Sequence, residues 1–384
     1  MGAELDTSDL DRYVGVPFLD RKLKDPVSRL EIRRWVHAHD NPNPLYYDDD
    51  YAATTKFEGI VAPQSYLVAT GDGHGAAPAR QGNVPGSHLL FGGDEWWFMG
   101  PYIMPEDHMS VECMFVDYKV RDTSFSGPTA ICRGDSTYVN QRGEFVGKQR
   151  STVIRYLPEI ARERMSDKQE EEYEWTDERL GELTEQRLAY VKDLRANPAR
   201  QWTDIKVGDT LPPRPLGPHS IASFAGEQRA RAAATWGAAR FLGRRGRRSG
   251  DGAGWIPEMS WDLDRAQIDP SAVDGLFEGP SRGHVQERYA KVIGMPKPYG
   301  YGSSMGAWLL DYVANWAGQD AFIVHSDGRY FAPAFAGDAG FFSGEVIDKK
   351  ENTELADREA VVQVRIDDQF GKKIAGATMS VAWS

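Results

Sequence analysis

The chain has 384 residues, with 45 Lys and Arg against 57 Asp and Glu and a formal net charge of −12. That charge argues against general nucleic-acid binding, two cysteines are too few for a disulfide framework and lack metal-ligand spacing, and no apolar run approaches the roughly 20 residues that span a bilayer. With a polar, acidic opening from Met1 to Asp11, the expectation is a soluble cytoplasmic protein in a reducing setting, with no metal and no cofactor.

Ser28 to His39 places Leu30, Ile32, Trp35 and Val36 at helical spacing. A second helix is predicted from Pro63, because proline suits a first turn, and it carries Tyr66, Leu67 and Val68. From Leu89 the texture turns to β. His108 to Val116, Thr129 to Val139 and Phe145 to Tyr156 are rich in strand formers, and Gln141-Arg-Gly143 suits a hairpin turn. Cys113 and Cys132 fall in these stretches and read as buried thiols. A charged segment from Pro158 to about Pro198 reads as a linker with one surface helix, Leu180 to Leu194. Beyond Trp202, Val207 to Pro213 reads as an edge strand and turn, and Ser220 to Trp236 as a helix. Arg244-Arg-Gly-Arg-Arg248, followed by Ser-Gly-Asp-Gly-Ala-Gly, reads as a loop rather than a packed element. Tyr301 to Trp316 is the strongest helix, with Ser303 or Ser304 as cap and an apolar stripe of Trp308, Leu309, Tyr312, Val313 and Trp316. Strands follow at Ala321 to His325, Ala339 to Val346, Ala360 to Ile366 and Ile374 to Val381. A helix followed by antiparallel strands, twice over, is an α+β pattern.

The chain also repeats itself. Tyr46 stands five residues before Tyr51-Ala52, and His284 stands five before Tyr289-Ala290. Pro101 to Asp107 with Val111 to Val116 resembles Pro333 to Asp338 with Phe341 to Val346, and Asn140 to Val146 resembles Asp368 to Ile374. Three matches in register at offsets of about 230 to 240 residues mark two fused domains of one type. The predicted division is residues 1–157, a charged linker over 158–200, and residues 201–384. The halves differ where it matters. An imidazole, with a pKa near about 6.5, exchanges protons at neutral pH, and a tyrosine near about 10 does not.

Asp40-Asn-Pro-Asn43-Pro44-Leu45-Tyr46, then Asp50-Tyr51-Ala52 and Gly59-Ile-Val-Ala62-Pro63, resemble the N-terminal half of the two-module MaoC-like dehydratases, relatives of the R-specific enoyl-CoA hydratases. The second half is similar over Trp202 to Pro213, His284 to Trp316 and Gly337-Asp338. The resemblance implies a double hotdog fold, in which each long helix is wrapped by an antiparallel sheet, and a thioester of coenzyme A or acyl carrier protein as substrate. It implies a motif of Asp, any residue, Asn, Pro, an apolar residue and His, whose Asp and His hold and activate water. Here Asn43-Pro44-Leu45 is intact, but Asn41 stands at the Asp position, with Asp40 one residue earlier, and Tyr46 replaces the His. In the second copy His284 is kept, while Gly279 and Ser281-Arg282-Gly283 replace the rest.

His284 is therefore the expected proton-transfer group. Glu278, one residue off the motif's Asp position, is its expected carboxylate partner, with Asp274 behind it and Asp40 as the acid of the first copy. Asn41 and Tyr46 are expected to contact substrate. Gly302 and Ser303, opening the second long helix, would offer N–H groups to the thioester oxygen, and Arg244 and Arg245 would meet phosphates. Trp96, Trp97, Trp255 and Trp261 line a wide pocket or fill core. The expected activity is hydration of a 2-enoyl thioester or dehydration of a 3-hydroxyacyl thioester, in fatty or aromatic acid metabolism. Two alternatives stay open: a thioesterase using Asp311, or a degenerate subunit that binds thioesters or completes a partner's site. Homodimerisation or pairing with another hotdog subunit is expected, with neither nucleic acid nor membrane as partner.

Overall fold

The computed structural model describes residues 5–22, 25–71, 73, 75–165, 172–232 and 282–383. The first half contributes strands β1 (Pro17–Lys22), β2 (His88–Phe98), β3 (Met109–Thr123), β4 (Gly127–Asn140) and β5 (Phe145–Tyr156). The second contributes β6 (Arg214–Leu216), β7 (Ala321–Tyr330), β8 (Gly340–Glu351), β9 (Arg358–Asp367) and β10 (Lys373–Trp383). They form one sheet in the order β1-β3-β4-β5-β2-β7-β10-β9-β8-β6. The second half runs through the same topology as the first, reflected about the seam. At the seam, β2 pairs antiparallel with β7 from Gly93 opposite Arg329 to Trp97 opposite His325.

The duplication is visible bond by bond. Asp107 accepts from the Met104 N–H at 2.8 Å and from Gln141 Nε2 at 3.0 Å. Asp338 accepts from the Phe335 N–H at 3.2 Å and from Gln369 Nε2 at 2.9 Å. Each aspartate's backbone carbonyl is bonded by the residue before a helix cap: Val27 N–H to Asp107 O at 2.9 Å, and His219 N–H to Asp338 O at 2.8 Å. Helices α1 (Arg29–Ala38) and α5 (Ile221–Ala232) are thus counterparts. The offset is 192 residues between Val27 and His219 but 238 between Tyr46 and His284, so the second copy carries 46 extra residues between its first helix and its motif.

The remaining helices are α2 (Asp49–Ala53), α3 (Pro158–Met165), α4 (Asp177–Ala196), α6 (Glu287–Val292) and α7 (Gly302–Ala317). Helix α7 is the centre of the molecule. All its residues except Gly302 and Ala314 are buried, the mostly apolar sequence suiting a central helix and its buried Asp311 and Asn315 facing polar partners. It lies against β7 and β2, and Gly306 lets it approach, since a Cβ there would sit 2.4 Å from the Tyr330 hydroxyl and 3.2 Å from Asp94 Oδ2.

The structure corrects several expectations. The helix predicted from Pro63 is a 3-10 segment, Gln64–Thr70. Gly71, Gly73 and Gly75 follow, and φ is +81° at Gly73 and +66° at Gly75, which breaks any longer helix. Only one of the two wrapped helices is therefore long. Helix α7 is preceded by Tyr301, which gives no side-chain cap; Ser303 and Ser304 already lie inside it. The opening edge strand is Arg214–Leu216 rather than Val207 to Pro213. The linker holds two helices, and α4 buries Leu183, Tyr190 and Leu194 while Leu180 and Leu188 stay exposed. Cys113 and Cys132 are buried free thiols, and no helix among the described residues is long and apolar enough to cross a membrane.

Candidate active site

His284 ends a 3-10 turn, Arg282–His284, that leads into α6. That helix is anchored by the buried side chains Tyr289, Ala290 and Ile293, and the Tyr156 hydroxyl donates to the Ile293 carbonyl at 2.7 Å. The imidazole lies against the chain entering α7, with ring centroids 4.4 Å from Tyr299 and 4.0 Å from Tyr301. Its Nδ1 is 2.7 Å from the Tyr299 carbonyl oxygen. A carbonyl only accepts, so Nδ1–H donates and Nε2 is the basic nitrogen of the neutral ring. His284 is thus held beside the opening turn of α7, where backbone N–H groups precede the first helical acceptors.

The first turn of α7 is tightly seated. A Cβ at Gly302 would lie 2.7 Å from Phe91 Cβ and 3.0 Å from the Phe91 carbonyl oxygen. Neither atom is the far end of a flexible chain. Gly302→Ala is expected to destabilise the protein by about 1–3 kcal/mol through overpacking, measured by urea denaturation. An unchanged midpoint would mean that the helix start shifts freely.

The first-copy residues assemble elsewhere, against the C-terminal half of α7. Asn43 Nδ2 donates to Asn315 Oδ1 at 3.1 Å, and Asn315 Nδ2 donates to Asn41 Oδ1 at 3.1 Å. Trp35 Nε1 donates to Ser65 Oγ at 3.0 Å, which donates to Asp311 Oδ1 at 2.6 Å. Arg214, buried against the rings of Tyr190 and Phe342, donates to the Asp40 carbonyl at 2.7 Å. Tyr46 is buried, and desolvation, with Tyr102 and Asp311 adding, raises its pKa well above the ordinary value; it stays neutral and supplies no base. Asn43, Tyr46, Gln64 and Tyr102 line a narrow cleft.

Asp311 is almost wholly buried, and desolvation pushes its pKa up to about 6 against the pull of Ser65, Arg214 and Asn41. Among the described residues its Oδ2 and the Asn41 Nδ2 both lack a partner in hydrogen-bond geometry, although the amide still draws the carboxyl down. The folded protein binds this proton more tightly than the unfolded chain. The stability it confers is therefore full below about pH 4 and is lost as pH rises through about 6. About two pK units correspond to on the order of 3 kcal/mol. Asp311→Asn is expected to gain stability relative to the parent between pH 4 and 7, measured as the difference in Tm. A difference that does not change with pH would show that Asp311 does not titrate there.

The structure places the other candidates as follows. Asp40 is exposed at φ +50°, and its carboxylate makes no hydrogen bond or ion pair among the described residues, so it is not brought to His284. Trp96 is core, stacked between Phe98 and Tyr138. Trp97 lies on the sheet's other face, with Lys148 Nζ 5.5 Å from its ring. Glu278, Asp274, Arg244, Arg245, Trp255 and Trp261 lie outside the described residues. No cluster of three His, Cys, Asp or Glu suited to a metal occurs among the described residues. Sequence reasoning missed Arg214, Ser65 and Glu227, all buried.

Residues 12–149 match the family described as FAS1-like, dehydratase domain region. A probable enoyl-CoA hydratase alpha subunit of Thermomonospora curvata is 32% identical over 165 residues, covering 38% of this chain and 49% of the relative. A 3-oxo-4,17-pregnadiene-20-carboxyl-CoA hydratase alpha subunit of Mycobacterium tuberculosis is 25% identical over 160 residues, covering 37% and 49%. The chain thus spans about half the length of the curated relatives it matches. A solved structure described as a MaoC-like dehydratase superposes with a TM-score of 0.62 at 19% identity, over 98% of this chain and 100% of that one. The family match thus covers residues 12–149, somewhat more than a third of the chain, while the chain as a whole has a double hotdog fold and shares its fold with that solved MaoC-like dehydratase.

Proposed function

We propose that the protein hydrates a 2-enoyl thioester of coenzyme A or acyl carrier protein, or runs the reverse dehydration, with His284 as the base. The observation that carries this is the His284 ring, fixed by Tyr299 and Tyr301 against the opening turn of α7. As water oxygen attacks C3, Nε2 takes a proton from the water, and the same nitrogen returns a proton to C2. The negative charge that develops on the thioester oxygen between those events suits the N–H groups and positive dipole end of α7, at Gly302 and Ser303. The first half, whose Tyr46 stays neutral, contributes wall rather than chemistry. We assign residues 1–157 and 201–384 to the two modules, with 158–200 between them, in a cytoplasmic protein. Loss of enoyl absorbance on mixing with a 2-enoyl-CoA tests this reading; release of free thiol with no such loss would overturn it.

A second reading is favoured by the curated relatives, both of which are called alpha subunits: the chain works with a partner hotdog subunit. Activity that appears only when such a subunit is added would select it. Thioester hydrolysis through Asp311 is disfavoured, because that carboxyl is sealed between α7 and Ser65.

A further inference from the structure

The repeat gives the cleft beside Tyr46 a specific place in the first copy. Tyr46 and His284 stand 238 residues apart, and so do Gln64, which opens the central 3-10 segment, and Gly302, which opens α7. The strand contacts match as well. Gly302 packs on Phe91 of β2. Gln64 packs on Ile323 of β7, with Nε2 donating to the Ile323 carbonyl at 2.8 Å and Oε1 accepting from the Ile323 N–H at 3.0 Å. Tyr46 and Gln64 both line the cleft, so it is the first copy's counterpart of the ground around His284. It lies at the other end of the central helix. Its α7 wall begins at Ala314, which is 12 residues beyond Gly302 and about 18 Å along the axis.

The chemistry of this end differs from that of the other. Among the described residues no charged side chain lines the cleft, and it meets α7 at the negative, C-terminal pole, which disfavours anions. The Gln64 amide is committed to Ile323, and the Asn43 amide to the Leu45 N–H and Asn315. Two polar groups are left over. The Tyr46 hydroxyl, on a residue of 4% exposure, makes no hydrogen bond among the described residues, and Gln319 Oε1 is buried with no partner. Buried polar atoms left in that state are costly unless something meets them. Leu45, Ile323 and Val381 supply apolar wall. We propose that the cleft is a second, non-catalytic binding site, which takes the hydroxyl end of a small neutral aliphatic alcohol: the O–H donates to Gln319 Oε1, the oxygen accepts from Tyr46, and the short apolar stem lies along Leu45 and Val381. Nothing is turned over there, because Tyr46 stays neutral and supplies no base. The proposal does not depend on the hydratase reading.

The test follows the methyl resonances of Leu45, Ile323 and Val381 in the full chain while propan-2-ol, acetone or acetate is added. The three probes share one size and branching, and so few heavy atoms hold affinity to roughly the millimolar range. Propan-2-ol is expected to shift all three residues saturably. Acetone, which accepts but cannot donate, is expected to bind about fivefold more weakly, the usual effect of one hydrogen bond, and acetate is expected not to bind. Gln319→Leu should weaken propan-2-ol by about fivefold and leave acetone as it was, whereas Tyr46→Phe should weaken both. Equal affinity for the alcohol and the ketone would overturn the proposal, as would saturable binding of acetate, shifts that never saturate, or parent affinity in Gln319→Leu. If Tyr46→Phe does not fold, Gln319→Leu decides alone, since that side chain is only half-buried. Because no probe is a thioester, failure here leaves the hydratase reading standing, and absence of hydration leaves this site standing.

Discussion

Alanine at His284 is expected to lower kcat for hydration by about 10²–10⁴-fold, the usual contribution of one general acid–base group. The fold should survive, because the ring is only half-buried and lies on a short turn outside the main cores. Losing its bond to the Tyr299 carbonyl costs on the order of 1 kcal/mol. The informative comparison is with a substrate-independent measure such as Tm: kcat should collapse while Tm barely moves. Hydration at the parent rate would remove His284 from the chemistry, and the structure offers no other imidazole stacked at the opening of α7 among the described residues.

The largest expected loss of stability comes from Trp35→Ala, about 3–5 kcal/mol. Trp35 is fully buried, lies 3.9 Å from the His39 ring and meets Tyr66 edge-on at 5.8 Å. Its Nε1–H is also the first link of the chain through Ser65 to Asp311. Alanine opens a cavity and strips Ser65 of its donor together. Trp35→Phe keeps most of the ring and loses the donor, so it should cost only about 1–2 kcal/mol. Equal losses in urea denaturation would mean that the bond, not the volume, dominates.

Much of this architecture was legible in the residues. The matched pairs Asp107 with Gln141 and Asp338 with Gln369 stood out as sequence repeats because each holds one turn by short-range bonds. His284 stood out because it aligns with Tyr46 ahead of a Tyr-Ala pair. The failures have physical causes. Tyr66, Leu67 and Val68 have helical spacing, but three glycines within five residues leave only 3-10 turns. Leu30 matches the apolar period of α1 and is nonetheless exposed. Asp40 neighbours the motif in sequence, yet its left-handed backbone turns the carboxylate to solvent. The kinship of α5 with α1 was invisible because 46 extra residues separate α5 from His284, which breaks the register that exposed the rest of the repeat. Arg214, between prolines, carries no periodic signal; only the fold shows it reaching the Asp40 carbonyl.

The seam between β2 and β7 has an evolutionary corollary. In a symmetric pair of identical chains, every substitution appears on both sides at once, so an imidazole useful in one place must be tolerated in the other. Welding the pair into a single polypeptide frees each copy to drift by itself, and an imidazole can persist on one side of the weld while its counterpart becomes a phenol.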